Sequence, residues 1–176
     1  MDKLHALRHS TSHVLAQAVL ELYPKAKLGI GPVIDEGFYY DFDNLNIKEE
    51  DLAKIESKMQ EIVNRDLKIV KKNVSRNEAK KIVKDQKYKM ELIDELEGKI
   101  SFYSQGDFID LCKGPHVKST GEIKAFKLMR IAGAYWKGDS KNKMLTRIYG
   151  SSFFDRKELR KYLAMLVEAE KRDHKK

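Results

Sequence analysis

A change of apolar period within the first forty-odd residues constrains this chain more than any other feature. Leu4, Leu7, Val14, Leu15, Ala18, Val19 and Leu22 recur at intervals of three and four, the spacing of one helix face. Pro24 and Gly29 stop that run, and Phe38, Tyr40 and Phe42 then alternate at the two-residue interval of a strand. Residues 2–23 are thus expected to form a helix, and 30–43 two short strands around an Asp35-Glu36-Gly37 turn. A helix that feeds directly into a hairpin sets the class as α+β.

The rest of the chain extends that pattern. Residues 48–65 place Leu52, Ile55, Met59, Ile62 and Val63 on one helical face. A strand is expected from Leu67 to Val74, followed by a helix to about Asp85 that opens on the Ser75-x-x-Glu78 capping box. Further strands are expected at Met90–Ile93, Ile100–Tyr103, Phe108–Leu111, around Phe126–Ile131 and at Leu145–Tyr149, with Gly133–Asp139 a loop carrying the only tryptophan. Asp155 and Glu158 cap a last helix whose Leu159, Tyr162, Leu163 and Leu166 turn inward. The expected architecture is a central, mostly antiparallel sheet with flanking helices.

Composition bounds the setting. Lysine and arginine exceed acids by eight, but acids are interspersed, so the charge permits a polyanionic partner without demanding one. One cysteine cannot form an internal disulfide and no apolar run nears the ~20 residues that span a bilayer, so a cytoplasmic, membrane-free protein is expected.

Chemistry concentrates in two pairs. His9 and His13 lie one helical turn apart on one face, near the edge of the apolar stripe. Cys112 and His116 repeat the interval, but Gly114-Pro115 between them turns the chain, so this pair belongs to a strand end and its loop. Together the four have the ligand types of a zinc site, although a C-x₂-C pair would be far more specific. The same residues could work without metal: a neutral histidine can take a proton from water, and a second histidine or Lys89 can steady an oxyanion, with Asp110 orienting its neighbours. Cys112 as a nucleophile, or as a small buried apolar group, also stays open. No glycine-rich phosphate loop is present, so ATP chemistry is not expected.

Longer blocks carry a resemblance. Arg8-His9-Ser10-x-x-His13, Ile30-Gly31-Pro32-Val33-Ile34-Asp35-x-Gly37-Phe38-Tyr39-Tyr40-Asp41, Asp110-x-Cys112-x-Gly114-Pro115-His116, Phe126–Met129, Ala132–Ser140 and Met144-Leu145-x-Arg147-Ile148-Tyr149-Gly150 resemble the editing domain of bacterial threonyl-tRNA synthetase. The paired motifs are shared more distantly with alanyl-tRNA editing proteins, where they resemble zinc ligands. The resemblance implies hydrolysis of serine wrongly esterified to threonine tRNA. One missing methyl supplies only ~1–3 kcal/mol of discrimination at a synthetic pocket, so a second sieve has to remove the error. By motif, His9, His13, Lys89, Asp110, Cys112 and His116 become the expected catalytic set, and Gly31, Pro32 and Tyr40 the substrate-binding set. No cofactor is expected, with zinc on His9, His13, Cys112 and His116 the alternative. The partners implied are the serine-bearing 3′ end of tRNA(Thr) and the remaining synthetase domains. Residues 1–154 are expected to form the editing domain. Residues 155–176 would be a helix leading toward an aminoacylation domain outside this chain, leaving the piece unable to charge tRNA and weak in binding it. The rival reading from another class is a non-catalytic tRNA-docking module.

Overall fold

In the computed structural model, which describes residues 2–174, the Asp2 carboxylate accepts the Leu4 and His5 amides and so opens the first helix, α1 (Lys3–Leu22). Between Ala6 and Val19 every residue of α1 is buried except His9. A helix enclosed on all sides must satisfy its own polar groups. Thr11 donates to the Leu7 carbonyl and Ser12 to the carbonyls of His9 and Gly31.

The elements follow as β1 (Lys27–Leu28), β2 (Val33–Ile34), β3 (Gly37–Asp43), α2 (Leu52–Asn64), β4 (Ile69–Val74), α3 (Arg76–Ile82), α4 (Lys87–Glu95), β5 (Ile100–Gln105), β6 (Phe108–Leu111), β7 (Ala125–Tyr135), β8 (Met144–Phe153) and α5 (Arg156–His174). The strands are antiparallel, as expected, but they divide between two sheets. One has the order β1-β3-β8-β7 with β2 paired to β3, and the other has the order β4-β5-β6.

Phe38, Tyr40 and Phe42 point from β3 into the main core with Leu7, Leu15 and Val19 of α1 and Ile55, Met59 and Ile62 of α2. Each such large apolar side chain contributes roughly 1.5–3 kcal/mol by leaving water. A second core, Ala79, Val83, Ile93, Ile100 and Phe102, glues α3 and α4 to one face of the small sheet. Its other face carries Asp110 and, in register beside it, Tyr103. Helix α5 is pinned by Leu159, with Tyr162 and Leu163, against Ala125 and Phe153, and Asp155 accepts the Glu158 amide as its cap. Among the described residues no helix is long and apolar enough to cross a membrane.

Two sequence expectations are corrected. Met90–Ile93 is the middle of helix α4, not a strand, because Tyr88, Leu92 and Leu96 repeat at four and Lys89 with Ile93 turns inward. Gly133–Tyr135 ends strand β7 instead of opening a loop, and Trp136 is buried against Tyr88 and Leu145. The Trp136 indole N–H donates to Glu91 at 2.8 Å.

Candidate functional site

Helix α1 faces the small sheet along one line, and the two histidines stand on it. The His9 Nε2 lies 3.1 Å from the Cys112 Sγ, and the His116 Nε2 lies 3.2 Å from the same sulfur. The His9 and His116 rings stack with centroids 4.2 Å apart, and His13 leans on both, at 5.2 and 4.4 Å. One coordinating atom from each of His9, His13, Cys112 and His116 falls within a 4.8 Å cluster. The two sequence pairs, a hundred residues apart, thus form one constellation.

Backbone and hydroxyl groups fix the rings. The His9 Nδ1 sits 3.2 Å from the Pro115 carbonyl, so Nδ1 carries the proton and Nε2 the lone pair. Ser10 accepts the Val117 amide at 3.0 Å and contacts the His116 Nδ1 at 3.0 Å, tying α1 to the loop after β6. Tyr103 packs its ring 4.3 Å from that of His116.

Beneath the quartet lies a buried charge network. Asp110, 3% exposed, accepts the Tyr40 hydroxyl at 2.5 Å and pairs with the Lys89 Nζ at 2.9 Å. Its Oδ1 lacks a hydrogen bond of good angle, and the ammonium compensates it as an ion pair instead. The His13 Nε2 is 3.6 Å from the same carboxylate. Helix α4 delivers Lys89 here.

Burial dominates the proton affinities. It holds His9 below the usual imidazole range and His13 and His116 far below it, with the neighbouring imidazoles adding repulsion. All three are neutral bases at pH 7. Burial pushes the Cys112 thiol up to about 12, so it is a thiol and not a thiolate. A nucleophilic role for Cys112 is therefore disfavoured.

The site opens into a cleft of about 420 Å³, walled by Ile30–Val33 on one side and by Lys89, Leu92 and Leu111–Gly114 on the other, with His5, His9, His13 and Asp110 along its length. Gly31 and Pro32 are part of that wall. Tyr40 is not: fully buried, it lies behind Gly31, where an added Cβ would come within 2.1 Å of its ring. His116 likewise stands behind Cys112 and outside the lining.

Comparison with known proteins now adds to this geometry. Residues 100–149, which contain Asp110, Cys112 and His116, match the family described as threonyl and alanyl tRNA synthetase second additional domain. The chain is 57% identical over 176 residues to a threonine–tRNA ligase of Rubrobacter xylanophilus and 54% identical over 178 residues to one of Staphylococcus aureus. In each case 99% of this chain aligns, and it spans 28% of the relative's length. Over nearly its whole length the chain is similar to one part of these ligases. The fold gathers His9, His13, Lys89, Asp110, Cys112 and His116 around one seam, with Gly31 and Pro32 in the cleft wall. Sequence reasoning missed Ser10, Tyr103 and the exposed His5. The Arg8–His13 run held a signal for Ser10, a polar residue beside His9 in a helical run, whereas nothing local marked Tyr103.

Proposed function

We propose that the chain hydrolyses the ester joining serine to the 3′ end of tRNA(Thr), acting as the proofreading part of a threonine–tRNA ligase. The observation that carries this reading is His9: the one residue in the central stretch of α1 left unburied, it enters the cleft with an unprotonated Nε2 beside a buried ammonium. With the Cys112 S–H turned to His116, the His9 Nε2 takes a proton from water as that water attacks the ester carbonyl. Lys89, held by Asp110, faces the oxygen that gains charge. As the acyl C–O bond breaks, the proton on His9 passes to the departing ribose oxygen, and for that leaving group base help of ~10²–10⁴-fold and oxyanion stabilisation suffice. Tyr40 backs the Gly31 wall so closely that it cannot yield, and threonine's extra methyl would overlap it.

The quartet also fits a tetrahedral ion, and His9, His13, Cys112 and His116 would hold it. Zinc bound there would supply Lewis acidity and an acidified water. Four protein ligands, however, close a zinc site, whereas hydrolysis needs an open position. That count supports the metal-free reading.

The test is release of serine from seryl-tRNA(Thr) by the purified chain, with threonyl-tRNA(Thr) as control. Serine release should be at least tenfold faster than threonine release, persist in excess chelator, and fall ~10²–10⁴-fold in His9→Ala. RNA binding with no hydrolysis would assign a docking module instead. Activity abolished by chelation and restored by zinc would overturn the metal-free mechanism.

A further inference from the structure

Among the described residues the cleft adjoins two further depressions that differ in charge. Past His5 and Val33, a depression of about 590 Å³ is ringed by Asp2, Asp35 and Glu36. Its one cation, Arg8, is 7% exposed: its Nε donates to the Ser152 carbonyl at 3.0 Å, its guanidinium lies over the Phe153 ring, and its Nη2 is buried without a hydrogen-bond partner. Past Leu111 and Cys112, a narrower cleft of about 180 Å³ runs between α4 and the end of β6. Its floor is Leu92, Leu96 and Leu111, and its charged groups are Lys99 and Lys113. Both lysines are exposed, and among the described residues neither forms an ion pair or hydrogen bond.

We infer that the RNA chain preceding the aminoacylated terminal nucleoside leaves the site along the Lys99–Lys113 cleft. This rests on the ester-hydrolase reading above, which requires a polyanion to thread out of the pocket but does not say where. Carboxylates repel phosphates on the first path. On the second, two unpaired ammoniums match successive phosphates, and the leucine floor offers an apolar face to a base, the combination that binds single-stranded RNA without reading its sequence.

The test measures binding of the whole chain to an RNA hairpin bearing the acceptor stem and single-stranded 3′ end of tRNA(Thr), labelled at its 5′ end, over a range of salt. Lys99→Glu with Lys113→Glu should raise Kd at least tenfold and flatten the salt slope by about 1.4, or ~0.7 for each single-strand phosphate contact. Asp35→Lys should change Kd less than twofold. The double variant should also lose more kcat/KM on seryl-tRNA than on the seryl ester of adenosine, which has no preceding chain. Unaltered binding or salt slope in the double variant, or tighter binding in Asp35→Lys by as much as the lysine variants lose, would overturn the inference. If the wild type hydrolyses neither ester, the catalytic reading fails, while the binding measurements still decide the path.

Discussion

Asp110 is a carboxylate buried beneath the quartet. A carboxylate in this position is tolerated only because Lys89, Tyr40 and His13 converge on it. Asp110→Asn would leave the Lys89 ammonium, 4% exposed, without a counter-charge. The expected cost is about 3–5 kcal/mol, measured by urea unfolding. Pairing Asp110→Asn with Lys89→Met should recover part of that loss, since both charges are then gone; a strictly additive double variant would show that the pair is not coupled. Gly31 is the second residue with a sharp expectation. Gly31→Ala puts a methyl into the Tyr40 ring, which is buried and has nowhere to retreat. It should destabilise by about 1–3 kcal/mol and displace the cleft wall. The matching kinetic result is a fall in serine hydrolysis; a variant with wild-type stability and rate would show that the wall is soft.

At the scale of elements, α1 is a tether as well as a core helix. Ser10 accepts the Val117 amide and touches His116 from the middle of a buried face, so Ser10→Ala strands a backbone donor in the seam. A loss of about 1–3 kcal/mol is expected. Hydrogen exchange should show faster opening at Val117 than at residues of β3; equal protection would deny the tether. The helices that sequence revealed were those with strong punctuation: α1 before Pro24, α3 behind the Ser75 cap, which accepts the Glu78 amide at 3.1 Å, and α5 behind Asp155. The alternation at Phe38–Phe42 likewise showed its inward face. Helix α4 was misread because it is nine residues long and Gln86 provides no side-chain cap, so only the Tyr88-Leu92-Leu96 interval marked it. The difference matters for the site, since a strand at Met90–Ile93 would begin after Lys89, whereas helix α4 includes Lys89 and carries it to Asp110. The quartet's residue types were readable, but their meeting depends on how the small sheet docks on α1, which no local spacing encodes.

For the whole molecule, the site is the seam where the helix-packed large sheet meets the small one, and that seam stores neutral imidazoles. His13 and His116 have folded-state pKa values depressed far below ~6.5 by burial, and His9 is depressed as well. A base that binds its proton more weakly when folded makes the unfolded chain take up more protons as pH falls. Stability from these groups is therefore full above about pH 6.5 and is lost on acidification toward their folded values, at roughly 1.4 kcal/mol per pH unit for each imidazole kept neutral. Glu21 and Asp43, whose carboxyls are held down by Arg65 and by Tyr88 with Lys143, start to contribute their own losses only below the ordinary carboxylate range of about 4.5 and 3.8. The interval between pH 6.5 and 5 thus lies above these two losses and reads the histidines, opposed only by proton uptake at Asp41, whose carboxyl burial raises. Urea unfolding of the chelator-treated chain should show stability falling across it with a slope of more than one proton, and His116→Asn should flatten that slope by nearly one. A stability that stays level from pH 7 to 5 would mean that the imidazoles are protonated in the folded seam, and with it His9 would lose its standing as a base.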